Sequence, residues 1–144
     1  MEHSELSIEE ANALVPKLAE LVGRQLARRS DIETRLRVLA SVTGEVPSEI
    51  TTFPNDAPDL RKTKVELIQR ITDYQDGWKE VESLGCVVKD PRIGLVDFYG
   101  RIEGKLVYLC WKHGETEIAH YHALDEGYTA RKSIRDTVRK MSIN

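Results

Sequence analysis

The sequence predicts an α+β fold: a long, kinked antiparallel helical hairpin packed on a small antiparallel β-meander, with a short C-terminal helix. Two observations predict it. In the first half of the chain, apolar residues recur at steps of three and four, the period of a helix. After residue 85 the period becomes two, the period of a strand. The chain has 144 residues, 40% of them hydrophobic, which suits a single domain with one moderate core.

The first helix is expected over residues 7–40. Ser7 and Glu10 have the spacing of a capping box, in which each side chain accepts a hydrogen bond from the other's backbone N–H. Pro16 lies inside the segment and removes a backbone donor, so we expect a kink there and not a break. Side chains at steps of three and four form one stripe along this helix, which is apolar at both ends and polar in the middle. The stripe consists of Leu14, Leu18, Leu21, Gln25, Arg28 or Arg29, Ile32, Leu36 and Leu39.

Residues 41–57 show no helical periodicity and are rich in Gly, Pro, Ser and Thr. This composition predicts a connecting loop. The second helix is expected over residues 58–84. Pro58 suits its first turn, Asp56 is a candidate cap, and Gly85 is suited to end it. A heptad-like seam runs along it, through Leu60, Lys64, Leu67, Ile71, Tyr74, Trp78 and Val81.

The two helices carry more apolar surface than their contact with each other can bury. Val65 and Ile68 widen the seam of the second helix, and Tyr74 and Trp78 add aromatic area. Either the sheet buries all of it within the chain, or a second copy covers part of it. The arginines of the first helix alternate with acidic residues, which favours a solvated, salt-bridged face over a nucleic-acid surface.

Apolar and polar residues alternate over residues 86–124, and the segment is rich in Val, Ile, Tyr and Trp. This pattern predicts a short strand and then a three-strand antiparallel meander. A tight turn at Glu103-Gly104 predicts Phe98 opposite Leu109. If the stretch "HGET" closes the next hairpin, Trp111 lies opposite Ile118 and Leu109 opposite His120. That register places His120 and His122 on the apolar face with Trp111, and Asp97, Tyr108 and Cys110 on the other face.

The stretch "EIAHYHALDEGYTARK", residues 117–132, holds the most chemical side chains. His120 and His122 point the same way on a strand, so both are candidate metal ligands, with Asp125 or His113 as a third. A zinc site needs three protein ligands, and the spacing does not fix the third. The alternative is structural: His122 half-buried and hydrogen-bonded, and His120 packed beside Trp111.

Two further chemistries are weighed and set aside. A thiol nucleophile at Cys110 needs His122 beside it, and the predicted register puts the two on opposite faces. Asp97 has no second carboxylate within predicted reach, so strand-end hydrogen bonding is favoured for it. Asp125-Glu126-Gly127 is typical of a turn, with the Asp125 side chain bonding local backbone and Gly127 free to take positive φ.

The last segment, residues 133–142, predicts a short helix. Ser133 precedes Asp136 by three residues, which is a capping arrangement. Its basic residues favour solubility over a specific anionic contact.

Several stretches together resemble the bacterial domain-of-unknown-function (DUF) family 2203. They are "SIEEANALVPKLAEL" near the start and "GLVDFYGRIEGKLVYLCWKHGETEIAHYHALDEGYTARK" near the end, and the resemblance covers roughly residues 5–134. It implies no activity. It does imply that a family site would use His122, Asp125 and Glu117, with His120 outside the pattern. The matching positions are Asp97, Phe98, Cys110, Trp111, Glu117, His122, Asp125 and Gly127.

Composition limits the function classes. The formal net charge of -3 gives no global attraction to nucleic acid or anionic membranes. The longest apolar run, "LVYLCW", is too short to span a bilayer, and the start lacks signal-peptide character, so a cytoplasmic protein with reduced Cys86 and Cys110 is expected.

The function expected is a non-catalytic protein-interaction or assembly module, self-associating through the helical hairpin as a homodimer, with another protein as a further candidate partner. No catalytic residue and no cofactor is assigned. The alternative is a metal- or small-ligand-binding protein, or a metal-dependent enzyme, that uses a corner of Trp111, His122 and Asp125 and holds a divalent metal. The candidate ligand-binding residues are Trp111, Glu117, His122, Asp125 and Asp97; the candidate metal ligands are His120, His122 and Asp125.

Overall fold

The computed structural model describes residues 4–143, with the side chains of residues 4–138. Within this range, α-helices and a five-stranded antiparallel sheet form an α+β fold, which confirms the predicted class. None of the helices in the described range is both long enough and apolar enough to cross a membrane.

The N-terminal helix is kinked as predicted. It comprises α1 (Ile8–Ala13) and α2 (Val15–Thr43). Ser7 forms the capping box with Glu10, and each side chain accepts the other's backbone N–H at 3.0 Å. Leu14 separates the two helices with φ -86° and ψ -13°, and Pro16, two residues later, supplies no N–H to continue the hydrogen-bond ladder. The second part runs to residue 43, three residues beyond the predicted end.

The helix α3 (Pro58–Glu82) packs antiparallel to α2. Gln25 Nε2 donates to the Tyr74 carbonyl oxygen at 2.6 Å, and further along α2 the Arg35 guanidinium lies 3.9 Å from the Glu66 carboxylate. Contacts later in α2 are thus made with residues earlier in α3. The helix ends at residue 82, two residues before the predicted end.

The predicted cap of α3 is wrong. Ala57 occupies the N-cap position, and no side chain caps the helix there. Asp56 Oδ2 instead accepts a hydrogen bond from the Phe53 N–H at 2.8 Å. Lys64 Nζ donates to Asp56 Oδ2 at 2.9 Å and to Oδ1 at 3.1 Å. The carboxylate ties the preceding loop to the helix and does not cap the first turn.

The sheet has the strands in chain order, each antiparallel to the next. The strands are β1 (Cys86–Asp90), β2 (Leu95–Ile102), β3 (Lys105–Lys112), β4 (His120–His122) and β5 (Lys132–Ser133). The two-residue β5 was not predicted, because its pairing with β4 depends on how residues 123–131 fold back. The helix α4 (Ile134–Ile143) follows, and Asp136 N donates to Ser133 Oγ at 3.2 Å, as the capping arrangement predicts.

The register of β2 with β3 is as predicted. Phe98 pairs with Leu109, and Ile102 pairs with Lys105. Positive φ values of 55° at Glu103 and 78° at Gly104 close the tight turn.

The predicted register of β3 with β4 is wrong by one residue. Leu109 pairs with Tyr121, and Cys110 pairs with His120. The chain does not turn back directly after β3, because residues 113–119 leave the sheet and Ile118 N donates to Asn12 Oδ1 of α1 at 2.7 Å. A shift of one residue moves every side chain of β4 to the opposite face.

The apolar side chains form two separate cores. The larger lies between α1, the N-terminal half of α2, the C-terminal end of α3 and one face of the sheet, and includes Leu18, Phe98 and Trp111. The smaller lies between the far ends of α2 and α3, where Leu39 and Leu67 are buried with Ile32. Within the described residues the sheet reaches only the larger core, so the far half of the helix pair is covered by its own residues and by the loop at 44–57.

Candidate functional site

Three buried side chains with metal-ligand chemistry meet on the sheet face that points away from the larger core. Asp97 on β2, Cys110 on β3 and His122 on β4 are 0%, 0% and 2% exposed. One donor atom from each lies within 4.8 Å of the other two. Adjacent strands bring them together, since alternate residues of a strand share a face.

Asp97 and His122 are joined by a hydrogen bond. Asp97 Oδ2 lies 2.9 Å from His122 Nε2, and His122 Nδ1 lies 2.9 Å from the Ala123 carbonyl oxygen. A carbonyl oxygen only accepts, so Nδ1 carries a hydrogen and donates it. The contact between Nε2 and Oδ2 then requires one further proton on either atom. Burial raises the pKa of Asp97, and the neighbouring His122 and Cys110 act against that rise.

Cys110 is a protonated thiol at neutral pH. Burial, together with the nearby Asp97, raises its pKa to about 12, although Arg131 Nη1 lies 3.9 Å from Sγ and works the other way. The predicted register places Cys110 and His122 on opposite faces, and that prediction is wrong. The two share a face, but the raised pKa of the thiol disfavours the thiolate that a cysteine nucleophile requires.

A charged pair lies over the thiol. Arg131 donates from Nη1 and Nη2 to the two carboxylate oxygens of Glu115, at 3.1 and 2.8 Å. Burial alone would raise the pKa of Glu115, but the hydrogen bonds from Arg131 and from the Lys112 amide lower it below its usual range. The Arg131 guanidinium also stacks 4.5 Å from the Tyr128 ring centroid. This layer lies over the Cys110 member of the cluster.

The structure assembles a different set from the one that the sequence singled out. His122 lies with Asp97 and Cys110, whereas Trp111 is buried in the larger core on the opposite face. The predicted corner of Trp111, His122 and Asp125 therefore does not exist as one site. Asp125 is exposed in the turn after β4.

The two remaining candidates lie outside the cluster. His120 is on the same face but partly exposed, and its buried Nδ1 lies 3.9 Å from Glu115 Oε2, beyond hydrogen-bond distance. Glu117 is exposed in the connection between β3 and β4. In the turn, Glu126 and not Asp125 accepts the Ala123 N–H, and Gly127 has φ -121°, so the turn does not use a positive φ at this glycine.

Sequence reasoning missed Cys110 as a partner of His122. The sequence does contain a signal, since Asp97 and Cys110 were correctly paired across β2 and β3. The one-residue error in the predicted register of β3 with β4 placed His122 on the other face, away from Asp97 and Cys110.

A second surface is apolar and exposed. Val38 and Val42, one helical turn apart on α2, are 56% and 68% exposed. They border a groove of about 260 Å³ between α2 and α3, which Ala57, Leu60 and Thr63 also line. Exposed valines beside an apolar groove are typical of a contact surface.

Comparison with known proteins gives a family but no individual relative. Neither the comparison with curated proteins nor that with solved structures gave a match. A family model described as "Uncharacterized conserved protein (DUF2203)" matches residues 6–134. That match spans α1 to α3, β1 to β5 and the buried cluster, and the chain therefore belongs to the DUF2203 family.

Proposed function

We propose that the protein is a non-catalytic assembly module that forms a homodimer through the far half of its helix pair. The observation that carries the proposal is the exposed Val38 and Val42 beside the groove at Leu60. We also propose that it acts in the cytoplasm, where its two free, buried thiols suit a reducing compartment.

The far half of the helix pair has little apolar cover of its own. With 29 residues, α2 is about 43 Å long, and only its N-terminal part reaches the sheet. Beyond that part, Ile32, Leu39 and Leu67 are the buried members of the small core. Two helices present two flanks to solvent, and a second pair packed on one flank completes a four-helix bundle.

The polar residues on the flank with the valines favour a second copy as the partner. Asp31 contacts Arg35 and Arg70, each at 3.1 Å, and Arg35 also lies 3.9 Å from Glu66. Two acidic and two basic side chains thus alternate next to the groove. A surface with both signs can match a two-fold-related copy of itself, as an isologous interface requires.

The dimer is tested by light scattering over a range of concentrations. We expect a mass near twice 16.4 kDa for the wild-type chain and near 16.4 kDa for the double variant Val38→Lys, Val42→Lys. Lysine favours helices more than valine does, so the substitutions should leave the monomer folded.

Val65→Lys is the matched control. Val65 is 54% exposed on α3 of the same helix pair, but it does not line the groove. The control should remain dimeric. A wild-type monomer at every concentration would remove the proposal, and so would a dimer that Val65→Lys disrupts while the double variant does not.

A further inference from the structure

We propose that Asp97, Cys110 and His122 form a binding site for Zn²⁺ or a similar divalent transition-metal ion. The site is independent of the proposed dimer surface, because the two lie on different elements of the fold. It also differs from the histidine-based set that the sequence suggested.

The geometry is close to that of a metal site. In tetrahedral zinc sites the bonds to Cys, His and carboxylate are about 2.0–2.3 Å, which puts the donor atoms roughly 3.5 Å apart. Here the three donors lie within 4.8 Å of one another, and two of them, Asp97 Oδ2 and His122 Nε2, are 2.9 Å apart. Small side-chain movements would bring the three around one ion.

His122 is already oriented as a ligand. Its Nδ1–H donates to the Ala123 carbonyl oxygen at 2.9 Å, which leaves Nε2 as the atom that faces the cluster. Histidines that bind metal usually donate their other ring N–H to a carbonyl or carboxylate in this way, since the hydrogen bond selects the tautomer and holds the ring.

Asp97 is not satisfied by the protein alone. Within the described residues, its buried Oδ1 has no nitrogen or oxygen partner, and the Cys110 thiol is the neighbour that interacts with the carboxylate. A fully buried carboxylate oxygen without such a partner is costly, and a bound cation would satisfy it.

The charges also fit a divalent ion. With the Cys110 thiol proton and the proton between Asp97 and His122 released, the site offers one thiolate, one carboxylate and one neutral imidazole. These two negative charges balance one divalent cation, so the filled site is neutral in the buried sheet face. Mixed sulfur, nitrogen and oxygen donors favour Zn²⁺ and its neighbours over Mg²⁺ or Ca²⁺. Three protein ligands leave a fourth position for water.

The test uses the full chain, stripped of metal with a chelator and titrated with Co²⁺, whose complexes with thiolate have a charge-transfer absorption. We expect this band to saturate at one Co²⁺ per chain and to disappear when Zn²⁺ displaces the cobalt. Zn²⁺ should also raise the melting temperature of the wild-type protein, because it binds the native state.

Variants identify the ligands. Cys110→Ser should remove the charge-transfer band, and Asp97→Asn and His122→Ala should each weaken Zn²⁺ binding at least about tenfold. Cys86→Ser is the matched control, because Cys86 is also buried but lies in the larger core, and it should keep the band. The dimer-surface variant Val38→Lys, Val42→Lys should keep it as well, whatever its oligomeric state.

The wild-type titration makes the proposal falsifiable even if a variant fails to fold. The absence of a thiolate band together with the absence of a Zn²⁺-dependent thermal shift in the wild-type chain overturns it. A band that persists in folded Cys110→Ser, or one that is lost in folded Cys86→Ser, overturns it too.

Discussion

At the scale of single residues, Gln25 explains the polar middle of the helical stripe. Its side chain is fully buried, with Nε2 donating to the Tyr74 carbonyl oxygen and Oε1 accepting from Arg28 Nη1 at 2.7 Å. Gly77 lies against it, and a Cβ added there would overlap the Gln25 carboxamide. The missing side chain at Gly77 lets the helices approach closely enough for both hydrogen bonds.

We therefore predict that Gly77→Ala destabilises the protein. Alanine is the better helix former by about 1 kcal/mol, but the added methyl group must displace a buried, hydrogen-bonded amide. We expect a net loss of about 1–3 kcal/mol in the free energy of unfolding, measured by urea denaturation.

Gly23→Ala in α2 is the comparison variant. A Cβ there would meet His113 Nε2 at 3.4 Å, a contact that an exposed side chain can relieve. This change should be neutral or stabilising by up to about 1 kcal/mol. Equal effects at the two glycines would contradict the close approach at Gly77.

At the scale of elements, Asp56 joins the loop at residues 44–57 to α3. The Asp56 and Lys64 side chains are each 8% exposed and 2.9 Å apart, so solvent screens this ion pair less than a surface pair. The Lys64 ammonium also lies 4.9 Å from the Phe53 ring centroid. The loop is held at one end by one carboxylate, where the sequence suggested only a helix cap.

Asp56→Asn should lower stability in a pH-dependent way. The Phe53 N–H and then Lys64 hold the pKa of Asp56 below its usual value of 3.8. A depressed folded-state pKa contributes stability above the unfolded value, and that stability is lost as the pH falls through the folded value. The stability difference between wild type and variant should therefore be present at about pH 6 and shrink towards about pH 3.

Urea denaturation at both pH values measures this difference. Asp76→Asn is the control, because its ion pair with Lys79 is largely exposed and should matter little. A gap between wild type and Asp56→Asn that does not change with pH would refute the role given to the carboxylate.

At the scale of the whole molecule, two cores imply two levels of stability. The larger core joins α1, α2, α3 and the first residue of α4 to the sheet, whereas the smaller one is confined to the far half of the helix pair. Regions with few buried apolar contacts open more readily than the rest of a protein. The far half should therefore unfold locally while the sheet stays folded.

Hydrogen exchange of native protein tests this. Leu67→Ala should cost about 2–5 kcal/mol and speed exchange mainly of the amides in the first half of α3, because Leu67 is fully buried in the smaller core. Leu109→Ala, at a fully buried position of the larger core, should speed exchange in β2 and β3 as well. The same pattern in both variants would mean that the two cores unfold as one unit.

Features that depend on neighbours along the chain could be read from the sequence. The Ser7 capping box, the kink before Pro16 and the Glu103-Gly104 turn each involve residues within a few positions of one another. The pairing of Asp97 with Cys110 followed, because a two-residue turn leaves no freedom in register.

The buried cluster depended on tertiary structure. The β3–β4 register is set by a connection that leaves the sheet and bonds Asn12, 106 residues away, and no local pattern reports such a contact. That one-residue difference brings His122 to the face of Asp97 and Cys110 and leaves Trp111 on the other. Local hydrogen bonds and steric limits thus set the helices and the tight turn, whereas long-range packing decided which side chains share a face.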